Sequence, residues 1–249
     1  MVRVRMKSPE VWKTFVKSVV NLIGEGAMKF ESDGVKMKAI DPSRAVLVDF
    51  HLKKDAFEAY EVKESKLVGV KFDELEKVLS RAKSDDELIM ELDETQGKLA
   101  ITFKGASTRK LSIPLISVDE RELPEPKIQF TAEVEVTGEV IQDGLKDAEM
   151  VGETIKFIVD KDEFQMIGEG TEGRSELKLS KGDKGLVKIS VQQPAKSKFG
   201  LKNIAEITRG VKGSDVVKIS LGTDIPLQLD LPLENGKLRF FVAPYIDVE

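Results

Sequence analysis

The sequence predicts an α+β fold with strands in large majority, arranged as two similar domains. Three observations carry this. Most of the chain alternates apolar and polar residues at period two in short runs; only four stretches take a helical period; and those four fall into two pairs that keep the same order relative to neighbouring strands.

The alternating runs are Val2 to Met6, Val35 to Ile40, Ala45 to Leu52, Leu99 to Phe103, Lys110 to Pro114, Ile155 to Val159, Glu176 to Leu179, Leu186 to Val191, Val216 to Leu221, Pro226 to Leu231 and Lys237 to Val242. They read as half-buried antiparallel strands joined by turns such as Ser32-Asp33-Gly34 and Glu234-Asn235-Gly236.

The first helix is expected over about Pro9 to Ile23, where Ser8 can cap the leading N–H groups and Pro9 takes the first helical position. Its apolar face is Val11, Trp12, Phe15, Val16, Val19, Leu22 and Ile23. The second covers about Phe72 to Ala82 with Leu75, Val78 and Leu79 inward. The third covers about Gly138 to Met150 with Val140, Ile141, Leu145 and Ala148 inward, and the fourth about Phe199 to Val211 with Leu201, Ile204 and Ile207 inward.

The pairs repeat at nearly constant distance. Met28-Lys29-Phe30 opens a strand after the first helix and Ile155-Lys156-Phe157 one after the third, an offset of 157 − 30 = 127 residues. Phe72 opens the second helix and Phe199 the fourth, again 199 − 72 = 127. Ser84-Asp85 before Leu88-Ile89 matches Ser214-Asp215 before Val216-Val217, with offsets of 214 − 84 = 130 and 216 − 88 = 128. Apolar-basic triplets recur by chance, but shared element order at a shared offset favours duplication.

Between the copies, Leu115 to Phe130 carries Asp119, Glu120, Arg121, Glu122, Glu125, Pro124 and Pro126, with only Ile116, Val118, Leu123 and Ile128 markedly apolar. This reads as a partly extended connector, and Leu123 points to packing of its middle onto a surface. The expected organisation is a domain over 1–116, a linker over 117–131 and a second domain over 132–249.

Composition narrows the chemistry. Thirty-nine Lys and Arg against 44 Asp and Glu give a formal charge of −5, which excludes a wholly basic surface but not a basic face. The absence of cysteine excludes disulfides, thiolate metal sites and thiol nucleophiles. The single histidine, His51, lies in an alternating run and reads as an ordinary strand residue. No catalytic residue, metal or cofactor is expected. No apolar run approaches the roughly 18 residues of a membrane span, and Met1 to Lys7 has no apolar core behind its charges, so a soluble, cytoplasmic chain is expected. The charged fraction of 33% and the confinement of Asn to Asn21, Asn203 and Asn235 match compositions met in thermophile proteins. Gly168-Glu169-Gly170 and Gly173 lack the following Gly-Lys-Ser/Thr and helix of a phosphate loop and read as a hairpin turn.

At about 100° per residue, every helix shows a basic residue on its polar face: Lys13 and Lys17, Lys77 and Arg81, Lys146, and Lys202 and Arg209. Glu10, Glu74, Glu139 and Glu206 share those faces, leaving seven basic residues against four acidic. Solvated faces usually carry Lys and Arg, but four in four in a net acidic chain is more than that default. So small an excess cannot hold nucleic acid tightly, and it suits weak, sliding contact. No zinc finger, helix-turn-helix or RNP-like aromatic motif supports sequence readout.

Particular residues then resemble a known family. They are Ala39-Ile40-Asp41-Pro42-Ser43-Arg44-Ala45-Val46-Leu47-Val48, Ile113-Pro114-Leu115-Ile116, Leu123-Pro124-Glu125 and Phe241-Val242-Ala243-Pro244, with Gly138-Glu139-Val140 and Ser197-Lys198-Phe199 before or within helices three and four. Over its whole length the chain resembles a DNA sliding clamp of the proliferating cell nuclear antigen family, archaeal type. The resemblance implies a clamp fold: two similar domains, sheets outside and two helices inside each, closing head to tail into a pseudo-six-fold ring of three subunits around duplex DNA. It implies a subunit seam between Thr108, Arg109, Lys110, Leu111, Ser112 and Ile113 of one copy and Ser175, Glu176, Leu177, Lys178 and Leu179 of the next. By the bare pattern, these strands could equally be ordinary hairpin edges.

The resemblance also implies partners: duplex DNA without sequence preference, and DNA polymerase, flap endonuclease, DNA ligase and clamp loader, which insert short peptides beneath the linker. The residues matching that pocket are Ile40, Arg44, Leu47, Leu123, Pro226 and Phe241, with backbone contacts from Ala243 and Pro244. Taken alone, Ile40, Leu47 and Phe241 would serve as well in a core. Gln142, Arg44 and Tyr245 depart from residues common elsewhere in the family, Gln142 standing where relatives often carry a basic residue, which weakens the basic charge of the third helix and leaves peptide preference open. Other readings are a subunit of a heterotrimeric or checkpoint-type clamp and, from another class, a carboxylate-based hydrolase.

Overall fold

The computed structural model describes residues 1–119 and 123–246; the linker residues Glu120, Arg121 and Glu122 lie outside the described residues. Two compact units emerge, each taking one short segment from elsewhere in the sequence. The first comprises Met1–Ile40, Val48–Leu123 and Leu233–Leu238; the second comprises Asp41–Leu47, Pro124–Pro232 and the stretch from Arg239.

The first unit runs β1 (Val2–Met6), α1 (Glu10–Val19), β2 (Glu25–Glu31), β3 (Gly34–Ile40), β4 (Val46–Lys53, its first two residues grouping with the second unit), β5 (Ala59–Val62), β6 (Lys66–Lys71), α2 (Phe72–Leu79), β7 (Glu87–Asp93), β8 (Lys98–Lys104) and β9 (Thr108–Pro114). The second runs β10 (Ala132–Thr137), α3 (Gly138–Glu149), β11 (Thr154–Asp160), β12 (Glu163–Gly170), β13 (Gly173–Ser180), β14 (Leu186–Val191), β15 (Ala195–Gly200), α4 (Leu201–Thr208), β16 (Val216–Leu221), β17 (Leu227–Leu231) and β18 (Gly236–Val242, its first three residues grouping with the first unit).

The sheets repeat. In the first unit the strand orders are β5-β1-β7-β8-β9 and β4-β3-β2-β6; in the second they are β14-β10-β16-β17-β18 and β13-β12-β11-β15. Each strand of the second unit carries a label nine higher than its counterpart, so one topology occurs twice. The register corrects the sequence offset. Glu25 pairs with Lys71 and Thr154 with Gly200, which places the copies 154 − 25 = 129 residues apart in this region. Aligning Phe30 with Phe157 slips the match by two residues. Two residues is one strand period, so the slip keeps every side chain on its own face, and the apolar pattern looked right at the wrong register.

Helices form where expected, with tighter ends. Ser8 Oγ accepts the Glu10 N–H at 3.3 Å, while Pro9 is the cap residue and not the first helical one. Leu22 and Ile23 are buried beyond the end of α1. Phe199 does not open the fourth helix. It is a buried residue of β15, because Ala195, Ser197 and Phe199 keep alternate burial up to Gly200, and α4 starts at Leu201. The glycine run is a hairpin as expected, with Gly168 and Gly170 inside β12 and the turn at Thr171 and Glu172.

The cores differ in chemistry. In the first unit, the Phe15 ring stacks on Phe50 with centroids 3.9 Å apart, Phe72 meets it edge-on, and the indole N–H of fully buried Trp12 donates to Met6 Sδ at 3.1 Å. In the second, Phe157 packs against Phe164 and Phe199 with centroids 5.6 and 5.9 Å away. Gly144 lets α3 lie close on the sheet: a Cβ there would come within 2.8 Å of Met166 Cε. Each aromatic anchor contributes on the order of 3 kcal/mol, judged by truncation of such rings.

His51 introduces a pH dependence. Its Nε2 is buried without a hydrogen-bond partner and lies 3.9 Å from the Asp33 carboxylate, with Lys36, Lys237 and Lys53 nearby. Burial, reinforced by those lysines, pushes its pKa below the ordinary 6.5. The unfolded chain therefore binds the proton more readily, so this stability is present above the unfolded pKa and is lost as pH falls through 6.5 towards the depressed folded value. Glu31 and Asp33, held low by hydrogen bonds from Lys36, lose theirs only in more acid solution. The expected result is that His51→Gln flattens the first part of the acid limb in urea titrations between pH 7 and pH 5 and leaves the later fall in place. An unchanged limb would remove His51 from this account.

Candidate functional site

Three sets of sequence-predicted residues can be placed: the helix faces, two sheet edges and a loop beside the C-terminal tail.

In the first unit, α1 packs on α2, and a groove of about 310 Å³ between them is lined by Lys13, Val16, Lys17, Glu76, Lys77, Leu79 and Ser80. Lys13 is largely buried. Its ammonium donates to Ala82 O at 2.7 Å and Glu10 Oε1 at 3.2 Å, fixing α1 to the chain leaving α2. Lys17 is exposed. Lys77 meets Asp73 at 3.0 Å, a hydrogen bond that raises the lysine pKa and lowers the carboxyl's. Arg81 is exposed, and its backbone carbonyl accepts Arg109 Nη1 at 2.6 Å.

In the second unit, Lys146 pairs with Asp143 at 3.2 Å and Arg209 with Glu206 at 3.3 Å, and Lys202 is exposed. Gln142 has a structural task instead of a charged one. Its amide donates to Val211 O at 2.9 Å and Thr208 O at 3.3 Å, satisfying carbonyls at the end of α4. Sequence reasoning missed Asp73 and Asp143, which lie four and three residues before their lysines and share the same face. With them, the count becomes seven basic against six acidic.

Among the outermost strands of the sheets are β9 in the first unit and β13 in the second. Alternation sorts their residues. On β9, Arg109, Leu111 and Ile113 are the more covered, while Thr108, Lys110 and Ser112 are exposed; on β13, Ser175, Leu177 and Leu179 are covered, while Glu176 and Lys178 are exposed. Arg109 is already committed within its own unit. Its guanidinium lies over the Phe103 ring at 5.4 Å and hydrogen-bonds the buried carboxylate of Asp86. Lys178 hydrogen-bonds Glu163 on β12 and, with Gln165, holds that carboxyl below its ordinary pKa.

The third set gathers in the second unit. Asp41 is buried and organises the turn after β3: Oδ1 accepts the Val46 N–H at 2.6 Å, Oδ2 accepts the Ser43 N–H at 3.0 Å and the Ser43 hydroxyl, and its carbonyl accepts the Arg44 N–H at 2.9 Å. Arg44 thereby sits at φ 60°, exposed, and Leu47 emerges half-buried. Across the same unit, Ala243 N–H donates to Ala45 O at 2.8 Å and Tyr245 N–H to Lys198 O at 2.6 Å, so the tail is pinned on both sides of Pro244. Phe241 is 6% exposed and Pro226 partly so. Ile40, 40% exposed, and Leu123, partly covered, belong to the first unit. Asp41, Tyr245 and Lys198 were not among the expected site residues. The signal for Asp41 was the Asp-Pro-Ser tripeptide, a side-chain-capped turn signature; for the other two the sequence offers none.

The chain is similar to known proteins along most of its length. Residues 1–122 match the family model described as proliferating cell nuclear antigen, N-terminal domain, and residues 125–246 match the corresponding C-terminal domain. Curated proteins named DNA polymerase sliding clamp from Thermococcus gammatolerans and Pyrococcus furiosus are each 40% identical over 233 residues, 93% of either chain. Among solved structures, proliferating cell nuclear antigen from Thermococcus kodakaraensis superimposes with a TM-score of 0.93 at 26% identity, covering 98% of this chain and all of that one. A PCNA2–PCNA3 complex from Sulfolobus tokodaii gives 0.89 at 28% identity, covering 97% and 98%. With both domain models matched in order and the repeated sheet topology of solved family members, the chain belongs to the proliferating cell nuclear antigen family.

Proposed function

We propose that this chain is a DNA polymerase sliding clamp: a processivity factor, not an enzyme, that encircles duplex DNA, slides without sequence preference and tethers replication enzymes. Its domains are residues 1–116 and 132–249 with linker 117–131 between them. Family membership sets the carboxylate-based hydrolase aside.

One observation carries the reading. The topology occurs twice, with β9 and β18 as counterparts and β4 and β13 as counterparts. The Ala243 N–H reaches Ala45 O inside the second unit, and the Lys53 N–H reaches Asn235 O at 3.0 Å inside the first, so β18 runs antiparallel beside β4. By repeat, β9 seeks a β13, and a second copy of this chain can offer one. Leu111 and Ile113 would meet Leu177 and Leu179 on the covered face, and Lys110 would face Glu176 outside. That seam suits a second copy of this chain and closes a head-to-tail ring. Sedimentation of the purified chain tests it, and a monomer at micromolar concentration would overturn it.

The helix faces supply a nearly neutral lining. Lys17, Lys77, Arg81, Lys146, Lys202 and Arg209 offer exposed cations, most with an acid one turn away, and Lys13 chiefly braces α1. Phosphate attraction is then weak and salt-sensitive, and ring closure does the holding. The expected result is that Lys77→Glu with Arg81→Glu lowers clamp-stimulated DNA synthesis several-fold with the ring intact by sedimentation. Full stimulation by that double variant would take α2 out of the lining.

Leu47, Pro226, Phe241, Ala243, Pro244 and Arg44 form the docking face for short peptides of polymerase, flap endonuclease, ligase and clamp loader. An apolar patch beside a backbone segment pinned at both ends is suited to an extended peptide. Residence in the cytoplasm is part of the same reading; among the described residues, no helix is long and apolar enough to cross a membrane.

A further inference from the structure

The duplication continues into the segments that leave the two halves. Beyond β9, the Ile116 N–H donates to Gly69 O at 3.0 Å and forms an isolated antiparallel bridge with it. Beyond β18, the Tyr245 N–H donates to Lys198 O at 2.6 Å. Gly69 and Lys198 stand three residues and three residues before α2 and α4, and the two pairs share one offset: 198 − 69 = 129 and 245 − 116 = 129. The C-terminal tail is therefore the second copy of the start of the linker, laid on the second copy of the same strand edge.

The two copies are fastened differently. In the first, backbone lies on backbone: a Cβ on Gly69 would come within 2.2 Å of Ile116 O, so no side chain fits between them. In the second, residue 198 has a side chain, and its ammonium lies over the Tyr245 ring, 5.1 Å from the centroid. Tyr245 is 51% exposed.

We propose that Lys198 and Tyr245 are a positioning pair that holds the tail in place for a partner peptide. The inference rests on the peptide-docking reading above. The pair touches no peptide group itself. It fixes Tyr245, so that Ala243 and Pro244, caught between the Ala45 and Lys198 carbonyls, present their backbone at one height beside Leu47 and Phe241. With the ring contact gone, the tail at Tyr245 is held less firmly beyond its backbone hydrogen bond to Lys198 O, and the peptide must order it on binding.

Two measurements test it on the full-length chain. The first is titration of a synthetic peptide carrying a glutamine followed by apolar and aromatic anchors. A cation over an exposed ring is expected to be worth about two- to fivefold in affinity, so Lys198→Ala and Tyr245→Ala each weaken binding by that factor. Lys198→Arg and Tyr245→Phe, which keep a cation over a ring, restore it. The double alanine variant is weakened by less than the product of the two single losses, because the shared ring contact is lost only once. Ring mass, retention on circular DNA and Tm stay unchanged, which a general structural loss would not allow. The second is amide hydrogen exchange at Tyr245, read without peptide: it quickens in Lys198→Ala and not in Lys198→Arg.

Wild-type affinity in both alanine variants, additive losses, or unchanged exchange at Tyr245 would each overturn the pair. If the unsubstituted chain takes no peptide while exchange responds as described, the docking reading fails and with it the role assigned to the pair, although the latch itself stands.

Discussion

Leu177→Arg converts the chain to a species of 27.7 kDa at micromolar concentration, where the unsubstituted chain sediments near three times that mass. Leu177 is half-covered on the outermost strand of its sheet, on the face shared with Leu179, and β9 offers Leu111 and Ile113 in return. A guanidinium in that apolar seam loses its water and finds no acid on the same face. An uncompensated charge buried in an interface costs about 3–5 kcal/mol, or roughly two to four powers of ten per seam. In the free chain the same side chain swings into solvent. Because Leu177 also lies near α3, Leu111→Arg on the opposite edge serves as the independent variant. Both lose retention on circular duplex DNA together with ring mass, and both keep the parent's cooperative unfolding. A ring that persists in both variants would exclude the β9 to β13 seam.

The next largest effect belongs to Leu47→Ser, which weakens partner-peptide binding about 10- to 30-fold, as removal of an apolar anchor from a desolvated contact does. The position is chosen for its partial cover: Leu47 contributes to the surface at the end of the Asp41 turn, so the fold tolerates the change, whereas Phe241 is too deeply placed to separate binding from stability. The serine hydroxyl remains solvated in the free clamp. Calorimetric titration with the glutamine-bearing peptide reads the loss, and Tm should move little. Unaltered affinity would remove Leu47 from the docking face.

Much of the fold could be read from the residues because two signals dominate it. Burial at alternate positions marked the strands, and Trp12 with Phe15, or Ile204 with Ile207, marked helix faces three apart. The alternating runs leave out β5, β6 and β15, short strands at sheet edges, and also β7, β10 and β12, which lie inside their sheets; β10 does alternate, at Ala132, Val134 and Val136, and is missed all the same. Gly69 interrupts the pattern, buried between Val68 and Val70, because Ile116 lies along its edge. The repeat was visible but misregistered by two, since period-two burial cannot tell one residue from its next same-face neighbour.

The site was less legible. The same-helix partners of Lys77 and Lys146 follow from three- and four-residue spacing and could have been counted. Lys198 and Tyr245 are far apart in sequence and each resembles an ordinary surface residue; only the fold brings them together. Asp41 looked like part of a motif, while its physical task, to hold three donors of its own turn, appears only when the turn is closed.

Trp12 is the chain's one tryptophan, and it sits at zero exposure in the first unit between Phe15 and Phe50, with its N–H on Met6 Sδ. The second unit has none. Intrinsic fluorescence excited at the indole band is therefore a label-free optical reporter of one half of a duplicated molecule. Set beside circular dichroism, which sees both halves, it distinguishes a clamp whose two copies melt as one cooperative body from one in which a copy opens alone.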